Sequence, residues 1–232
     1  MPLFAGTSGF AYTTWKPDFY PANLPQKKFL DYYATRLNAV EINYTFHRIP
    51  SGSTLENWLA ETSPGFVFAL KAHQRITHIE RLVPSQFTEV FFQAIDPLRI
   101  NNRLGPILFQ LPPNLALDLP RLEAFLKVIP DEAQSAFEFR NKSWLCDEVY
   151  ALLESRRVAL CLAESEKLVI PQRITAGFVY FRLRKPDYSA EDRAEIRERV
   201  RSLLADGKDV YVFFKHEESP AGALYAEELL KQ

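Results

Sequence analysis

Six apolar runs of this 232-residue chain end in charged or amide side chains: AVEIN, FVFALK, PILFQ, SAFEFR, FVYFR and VYVFFK. Side chains alternate between faces along a strand, so Glu41 shares a face with Asn43, Lys71 with His73, and Glu138 with Arg140. The residue types suggest different roles. Glu41 and Glu138, flanked by Val, Ile and Phe, are candidates for general acid or base catalysis, since apolar surroundings raise a carboxyl pKa and a nearby cation lowers it. Lys71 is the third catalytic candidate, either a point-charge clamp or, if desolvated, a Schiff-base nucleophile. Arg140 and Arg182 offer planar donor forks suited to carboxylate or phosphate. Asn43 and Gln110 can orient hydroxyls or amides, although Gln110 serves equally well as a wall residue satisfying loop backbone. Ser8, Tyr12, Trp15, His73 and Lys215 complete the expected substrate-binding set.

Such side chains can meet only if the strands deliver them to one place. Each run has the length and the β-branched or aromatic content of a core strand. Between runs the pattern turns helical, near Gln26 to Leu37, Thr54 to Glu61, Ser85 to Asn101 and Pro120 to Val128, then near Ser143 to Arg156, Ala190 to Ala205 and Ala221 to Lys231. After VALCLAE there is only a short excursion. The total is about eight strand-plus-helix units, and a (β/α)8 barrel typically takes about 250 residues. Alternation of strand and helix implies parallel strands with right-handed crossovers. Ser53 to Glu56 and Ser189 to Asp192 resemble capping boxes, Asp118 followed by Pro120 marks a helix start, and Gly207 suits a left-handed stop. An open doubly wound sheet is the alternative, but Gly6-Thr7-Ser8-Gly9 fits neither nucleotide-binding fingerprint. The expected fold is therefore a single α/β domain over residues 1–232, a (β/α)8 TIM-like barrel with irregular or missing helices around strand six.

Composition narrows the setting. The chain is 47% hydrophobic and 25% charged, with formal net charge −1, so no global basic field advertises nucleic acid or an anionic membrane. No linker separates two domains. The start, MPLFAGTSGF, has neither a basic nor an apolar leader segment, and no run is long enough to span a bilayer, which points to a cytoplasmic protein. Cys146 and Cys161 sit in apolar stretches and read as buried free thiols.

In a barrel, the face away from the helices is the interior, where an unpaired ion costs several kcal/mol or more. The charged strand ends must pair with one another in a sealed polar plug, or face a ligand at the barrel mouth. The ligand-facing mouth is favoured, because barrel interiors are normally layered with Val, Ile and Leu. Arg184, Lys185, Lys215 and His216 lie after the last two strands, where barrels commonly hold phosphate, or they form a solvated basic rim. The first loop, GFAYTTWKPDFYPANLP, concentrates aromatic residues and reads either as a stacking wall for a sugar or base or as a hydrophobic plug. A divalent metal would need Glu41, Glu138, His73 and His216 to converge from separate strands and is not favoured, and cofactor use is otherwise open. The leading partner is a small anionic molecule, phosphorylated and sugar-like or nucleotide-like, turned over by carboxylate acid/base chemistry in a hydrolase, lyase or isomerase type of barrel. The alternatives are a glycosidase, a nucleic-acid-binding protein stacking bases on Tyr12 and Trp15, and a noncatalytic scaffold. Oligomeric state is open.

Several segments together resemble the domain-of-unknown-function 72 family, the YecE-like proteins. They are Gly6-Thr7-Ser8-Gly9 with Tyr12, Trp15 and Phe19-Tyr20-Pro21; Val40-Glu41-Ile42-Asn43 with Thr45-Phe46 and Pro50; and Phe66-Val67-Phe68 with Lys71 and Thr77-His78. Leu104-Gly105-Pro106 through Gln110-Leu111-Pro112-Pro113, and Glu138-Phe139-Arg140-Asn141 with Ser143-Trp144, continue the pattern over nearly the whole chain. The resemblance implies a TIM-like barrel distantly similar to metal-dependent DNA-repair endonuclease and sugar-isomerase barrels, with no firmly assigned reaction. Phe10 stands in place of an expected tryptophan, Arg184-Lys185 in place of a histidine-glycine pair, Lys215-His216 in place of asparagines, and Glu164 near an expected aspartate.

Overall fold

A computed structural model describes residues 1–231. Its strands are β1 (Leu3–Thr7), β2 (Ala39–Ile42), β3 (Val67–Lys71), β4 (Leu104–Gln110), β5 (Ser135–Glu138), β6 (Ala159–Ala163), β7 (Phe178–Leu183) and β8 (Asp209–Phe214). They form one 8-stranded sheet in the order β1-β8-β7-β6-β5-β4-β3-β2, and every paired neighbour is parallel. The sheet curls until its two edges meet. At the mouth a parallel bridge joins Ser8 to Glu41, and Gly9 N–H donates to the Glu41 carbonyl at 2.8 Å.

Deeper along this seam, side chains replace the missing ladder. Asn38 Oδ1 accepts from Ala5 N–H at 2.9 Å, and its Nδ2 donates to the Leu3 carbonyl at 2.8 Å. The Tyr33 hydroxyl accepts from Thr7 N–H at 2.9 Å and donates to the Ala39 carbonyl at 3.0 Å. Both residues satisfy backbone groups of facing edge strands that would otherwise be buried unpaired. The approach is close enough to exclude a side chain at Gly6, where a Cβ would lie 1.8 Å from the Ala39 oxygen.

Helices pack outside: α1 (Phe29–Arg36), α2 (Tyr44–His47), α3 (Gly52–Ala60), α4 (Gln86–Ile100), α5 (Leu119–Leu126), α6 (Asp147–Ser155), α7 (Ala190–Ala205) and α8 (Ala221–Leu230). Between β6 and β7 the chain forms no helix, and residues 164–177 run irregularly. The expected barrel and its thin sector at strand six are both present. Strand alternation sorts the apolar residues into two layers. Val40, Phe68, Phe109, Phe137, Leu160, Phe181 and Val212 face the helices. Ala39, Ala69, Leu108, Ala136, Cys161, Tyr180 and Phe213 fill the interior, where small residues of one half leave room for aromatic rings of the other.

Local boundaries follow their capping chemistry. Ser189 and Asp192 make the expected reciprocal capping box at α7, and Asp118 accepts from Arg121 N–H at the start of α5. Gly207 takes a left-handed φ of 77° after α7. Two expectations shift. The N-cap of α3 is Ser51, which accepts from Thr54 N–H, and so the helix begins before the box expected at Ser53. Helix α6 begins at Asp147 and not near Ser143, because Trp144 is drawn into the core, where its Nε1 donates to the Leu115 carbonyl at 2.7 Å and its ring stacks on Phe139. Cys146 and Cys161 are free thiols, half-buried and buried. No helix among the described residues is long and apolar enough to cross a membrane.

Candidate functional site at the barrel mouth

Five interior rows that begin with a small or apolar residue end, one step of alternation later, in a polar one, while that of β6 ends in Ala163. Ala39 leads to Glu41, Ala69 to Lys71, Leu108 to Gln110, Ala136 to Glu138, and Tyr180 to Arg182. The strand registers place Gln110 beside Glu138 but Glu41 beside Ala69 and Lys71 beside Leu108, so these side chains share the interior face in staggered steps near the C-terminal end of the barrel.

Arg182 is the hub. Its Nη2 donates to Glu41 Oε1 at 2.6 Å and its Nη1 to Glu138 Oε2 at 2.5 Å. All three residues are almost wholly buried. Glu41 also accepts from Ser8 Oγ at 2.7 Å and from the Tyr180 hydroxyl at 2.8 Å. Glu138 accepts from Gln110 Nε2 at 2.9 Å, from Arg140 Nε at 3.1 Å and from Arg184 Nη2 at 2.9 Å. Burial by itself would raise both carboxyls. The Arg182 charge and hydrogen bonds outweigh it at Glu41, and Arg182, Arg184 and Arg140 together do so at Glu138, so both stay below the ordinary carboxylate value. The apolar flanks that suggested a raised carboxyl pKa are thus overruled by cations.

Lys71 stands differently. It is half-buried, with Nζ 4.0 Å from the Phe46 ring centroid, and it makes no ion pair among the described residues. Burial first, and then the neighbouring Arg182, push its amine down to about 8. The Phe46 ring meets His78 edge-on at 5.0 Å, and Thr45 ties this corner to β3 by donating to the Lys71 carbonyl at 2.7 Å.

The remaining expected residues divide. Tyr12 borders the site, its hydroxyl donating to the Ser8 carbonyl at 2.9 Å; burial and nearby Glu217 push that hydroxyl up to about 12. Asn43 is half-buried at the start of α2. Three others do not join. Trp15 is fully buried, stacked on Tyr20 and edge-on to Phe19, so the first loop is a hydrophobic plug at this point and Trp15 has no face left for a ligand. His73 turns toward α4, its ring 4.9 Å from that of Phe87 and its Nδ1 accepting from Arg75 N–H. Lys215 is exposed and pairs with Glu217 at 3.5 Å. Arg184, expected either to hold phosphate or to form a solvated rim, joins the cluster, and so does Tyr180, which the sequence reading did not single out. The spacing Tyr180, Arg182, Arg184 puts all three on one face of β7 and its extension, which is the signal that could have found them.

Four cations, Lys71, Arg140, Arg182 and Arg184, surround two carboxylates. Counting nearby Glu164, whose Oε2 accepts from Arg184 N–H at 2.5 Å, still leaves positive charge in excess. Arg140 retains 40% side-chain exposure and Arg184 20%, against 3% for Arg182, so the excess faces solvent. Buried Nε–H groups of Arg182 and Arg184 have no acceptor. A metal fits poorly here: among the described residues no three His, Cys, Asp or Glu side chains converge, and the oxygens of Glu41 and Glu138 are already committed to cations and hydroxyls.

Comparison with known proteins agrees with this architecture. A protein from Thermotoga maritima MSB8 described as a DUF72 family protein superposes over 100% of both chains, with TM-score 0.88 and 28% identity. Another, from Enterococcus faecalis V583, covers 99% of this chain and 96% of its own, with TM-score 0.80 and 18% identity. An AP endonuclease, family 2, from Brucella melitensis shares the fold alone, at 12% identity and TM-score 0.52 over 94% and 93% of the two chains. In sequence, UPF0759 protein YunF of Bacillus subtilis strain 168 is 30% identical over 139 residues, 56% of this chain and 49% of YunF, so the match spans about half the length of that relative. The pattern of the family described as "Protein of unknown function DUF72" matches residues 4–232, and the chain belongs to that family.

Proposed function

We propose that this protein is an enzyme that binds a small anionic substrate, phosphorylated and sugar-like or nucleotide-like, at the C-terminal mouth of the barrel. The observation that carries the reading is the excess of cations over carboxylates around Arg182, with Arg140 and Arg184 reaching solvent. Planar guanidinium forks held by buried acids are preorganised for phosphate or carboxylate oxygens. Glu41 and Glu138 then act by holding the guanidinium groups in place, and Glu138 becomes a proton acceptor only when an incoming anion draws Arg140 and Arg184 away from it. Lys71, with a pKa near 8, is the group able to exchange a proton or attack a carbonyl close to neutral pH.

Calorimetric titration with a pentose phosphate and with the same sugar lacking phosphate tests the reading. The phosphate ester binds and the free sugar does not; Arg140→Gln weakens the ester by about tenfold, the worth of one charge-assisted hydrogen bond. Equal affinity for the two sugars, or an Arg140→Gln protein that binds as wild type does, would refute it.

A further inference from the structure

The missing helix after β6 leaves space. A cavity of about 800 Å3 lies outside the barrel wall at this sector, within the roughly 300–1,000 Å3 range of small-molecule sites. Its floor is the helix-facing side of β6 and β7, where Leu162, Phe181 and Leu183 point outward, and α7 closes the far side with Ile196 and Val200. The irregular segment that replaces the helix, including Leu168 and Ile170, forms the cover.

Half of the charged residues around this space are already matched. Lys185 pairs with Asp192 at 2.6 Å, and Glu164 accepts from the N–H groups of Arg184 and Lys185 and from the Tyr188 hydroxyl. Arg199 is the unmatched charge that lies against the apolar wall. Its guanidinium carbon lies 4.5 Å from the Phe181 ring centroid, held against the apolar wall by stacking. Among the described residues it makes no ion pair, not even with Glu195 one turn earlier on α7, and its side chain stays exposed at the cavity edge. An unpaired cation at the rim of an apolar chamber is complementary to an anionic head on an apolar body.

We propose that this cavity is a binding site for an amphipathic carboxylate, its chain or ring system lying against Leu162, Leu183 and Ile196 and its head on Arg199. The site adjoins the mouth, sharing Glu164 and Arg184 as lining, but its apolar walls and Arg199 lie outside the Arg182 cluster and the proposal does not depend on the function proposed there. Glu166, Lys167 and Glu195 at the open edge make headgroup sign the decisive variable.

The experiment is calorimetric titration of the full-length protein with decanoate, decan-1-ol and decyltrimethylammonium below their aggregation concentrations. Decanoate is expected to bind at least about tenfold more tightly than the alcohol or the ammonium, the worth of a hydrogen-bonded charge. Arg199→Gln should remove that preference while leaving phosphate-ester affinity at the mouth unchanged, and Ile196→Trp, which narrows the chamber, should weaken decanoate binding. Equal affinity for alcohol and carboxylate, tighter binding of the ammonium, an unaltered preference in Arg199→Gln, or no decanoate binding by folded wild-type protein would each overturn the proposal. The headgroup comparison on wild-type protein decides the matter even if neither variant folds.

Discussion

Glu138 shows how burial and pairing compete at a single residue. It is almost wholly buried, yet three guanidinium groups and the Gln110 amide surround it. Breaking a buried pair by removing one charge typically costs about 3–5 kcal/mol, because the partner charges remain. Glu138→Gln should lose stability on that scale in urea denaturation; a loss below about 1 kcal/mol would mean that water already screens the arginines. The sign of the acid response follows from the direction of the shift. With its folded pKa below 4.5, Glu138 contributes its full stabilisation above pH 4.5 and loses it progressively as pH falls from there. Lys71 behaves oppositely to a paired lysine. Its folded pKa of about 8 lies below the ordinary lysine value of 10.5, so the unfolded chain holds the extra proton between those values and stability rises with pH across that window. The stability difference between wild type and Lys71→Met, followed from pH 7 to 11, should therefore shift in favour of wild type mainly between pH 8 and 10.5. A flat difference would place the amine in bulk solvent and remove its candidacy for proton exchange.

At the scale of elements, the β1–β2 seam is the place where the barrel is least redundant. It has one bridge, at Ser8 and Glu41, and otherwise relies on Asn38 and Tyr33. Gly6→Ala would drive a methyl into the Ala39 carbonyl. Overpacking commonly costs about 1–3 kcal/mol, and because the obstacle here is backbone at a closure point, the loss should exceed about 3 kcal/mol by chemical denaturation; a smaller loss would show that the seam can open without cost. The seam also marks what sequence can and cannot disclose. Strand identity was legible because core strands are continuous apolar runs, and period-2 alternation sufficed to put Glu41, Lys71, Gln110, Glu138 and Arg182 on the interior face. The thin sector after β6 was legible because no 3.6-residue periodicity follows VALCLAE. The fate of Trp15 was not, since a loop rich in aromatic residues has the same composition whether it covers a ligand or buries itself. Nor was the length of reach that carries Arg184 back over Glu138, or the turn of His73 toward Phe87: those depend on what stands opposite, which periodicity within one strand does not encode. Burial varies across the strand ends, with Arg182 sealed and Arg140 reaching solvent.

The whole molecule carries 28 basic and 29 acidic residues, so a cationic mouth has to be offset by acid elsewhere on the surface. A local field of this kind attracts an anion that fits into the mouth and does little for one that must lie across the surface. Salt dependence separates the two cases. Each phosphate neutralised on a duplex contributes roughly 0.9 to the slope of log affinity against log salt, and a contact of six or more phosphates weakens binding by orders of magnitude between low and moderate salt. A small phosphate ester held by Arg140 and Arg184 should give a slope of magnitude below about 2. A slope beyond about 5 with single-stranded or duplex DNA, at affinity exceeding that of the ester, would move the assignment from a metabolite enzyme to a nucleic-acid-binding barrel. The geometry argues against that outcome. Outside the Arg182 cluster the cations on the last strand ends are matched, Lys185 by Asp192 and Lys215 by Glu217, so the basic residues that a long polyanion would need along its path already have partners.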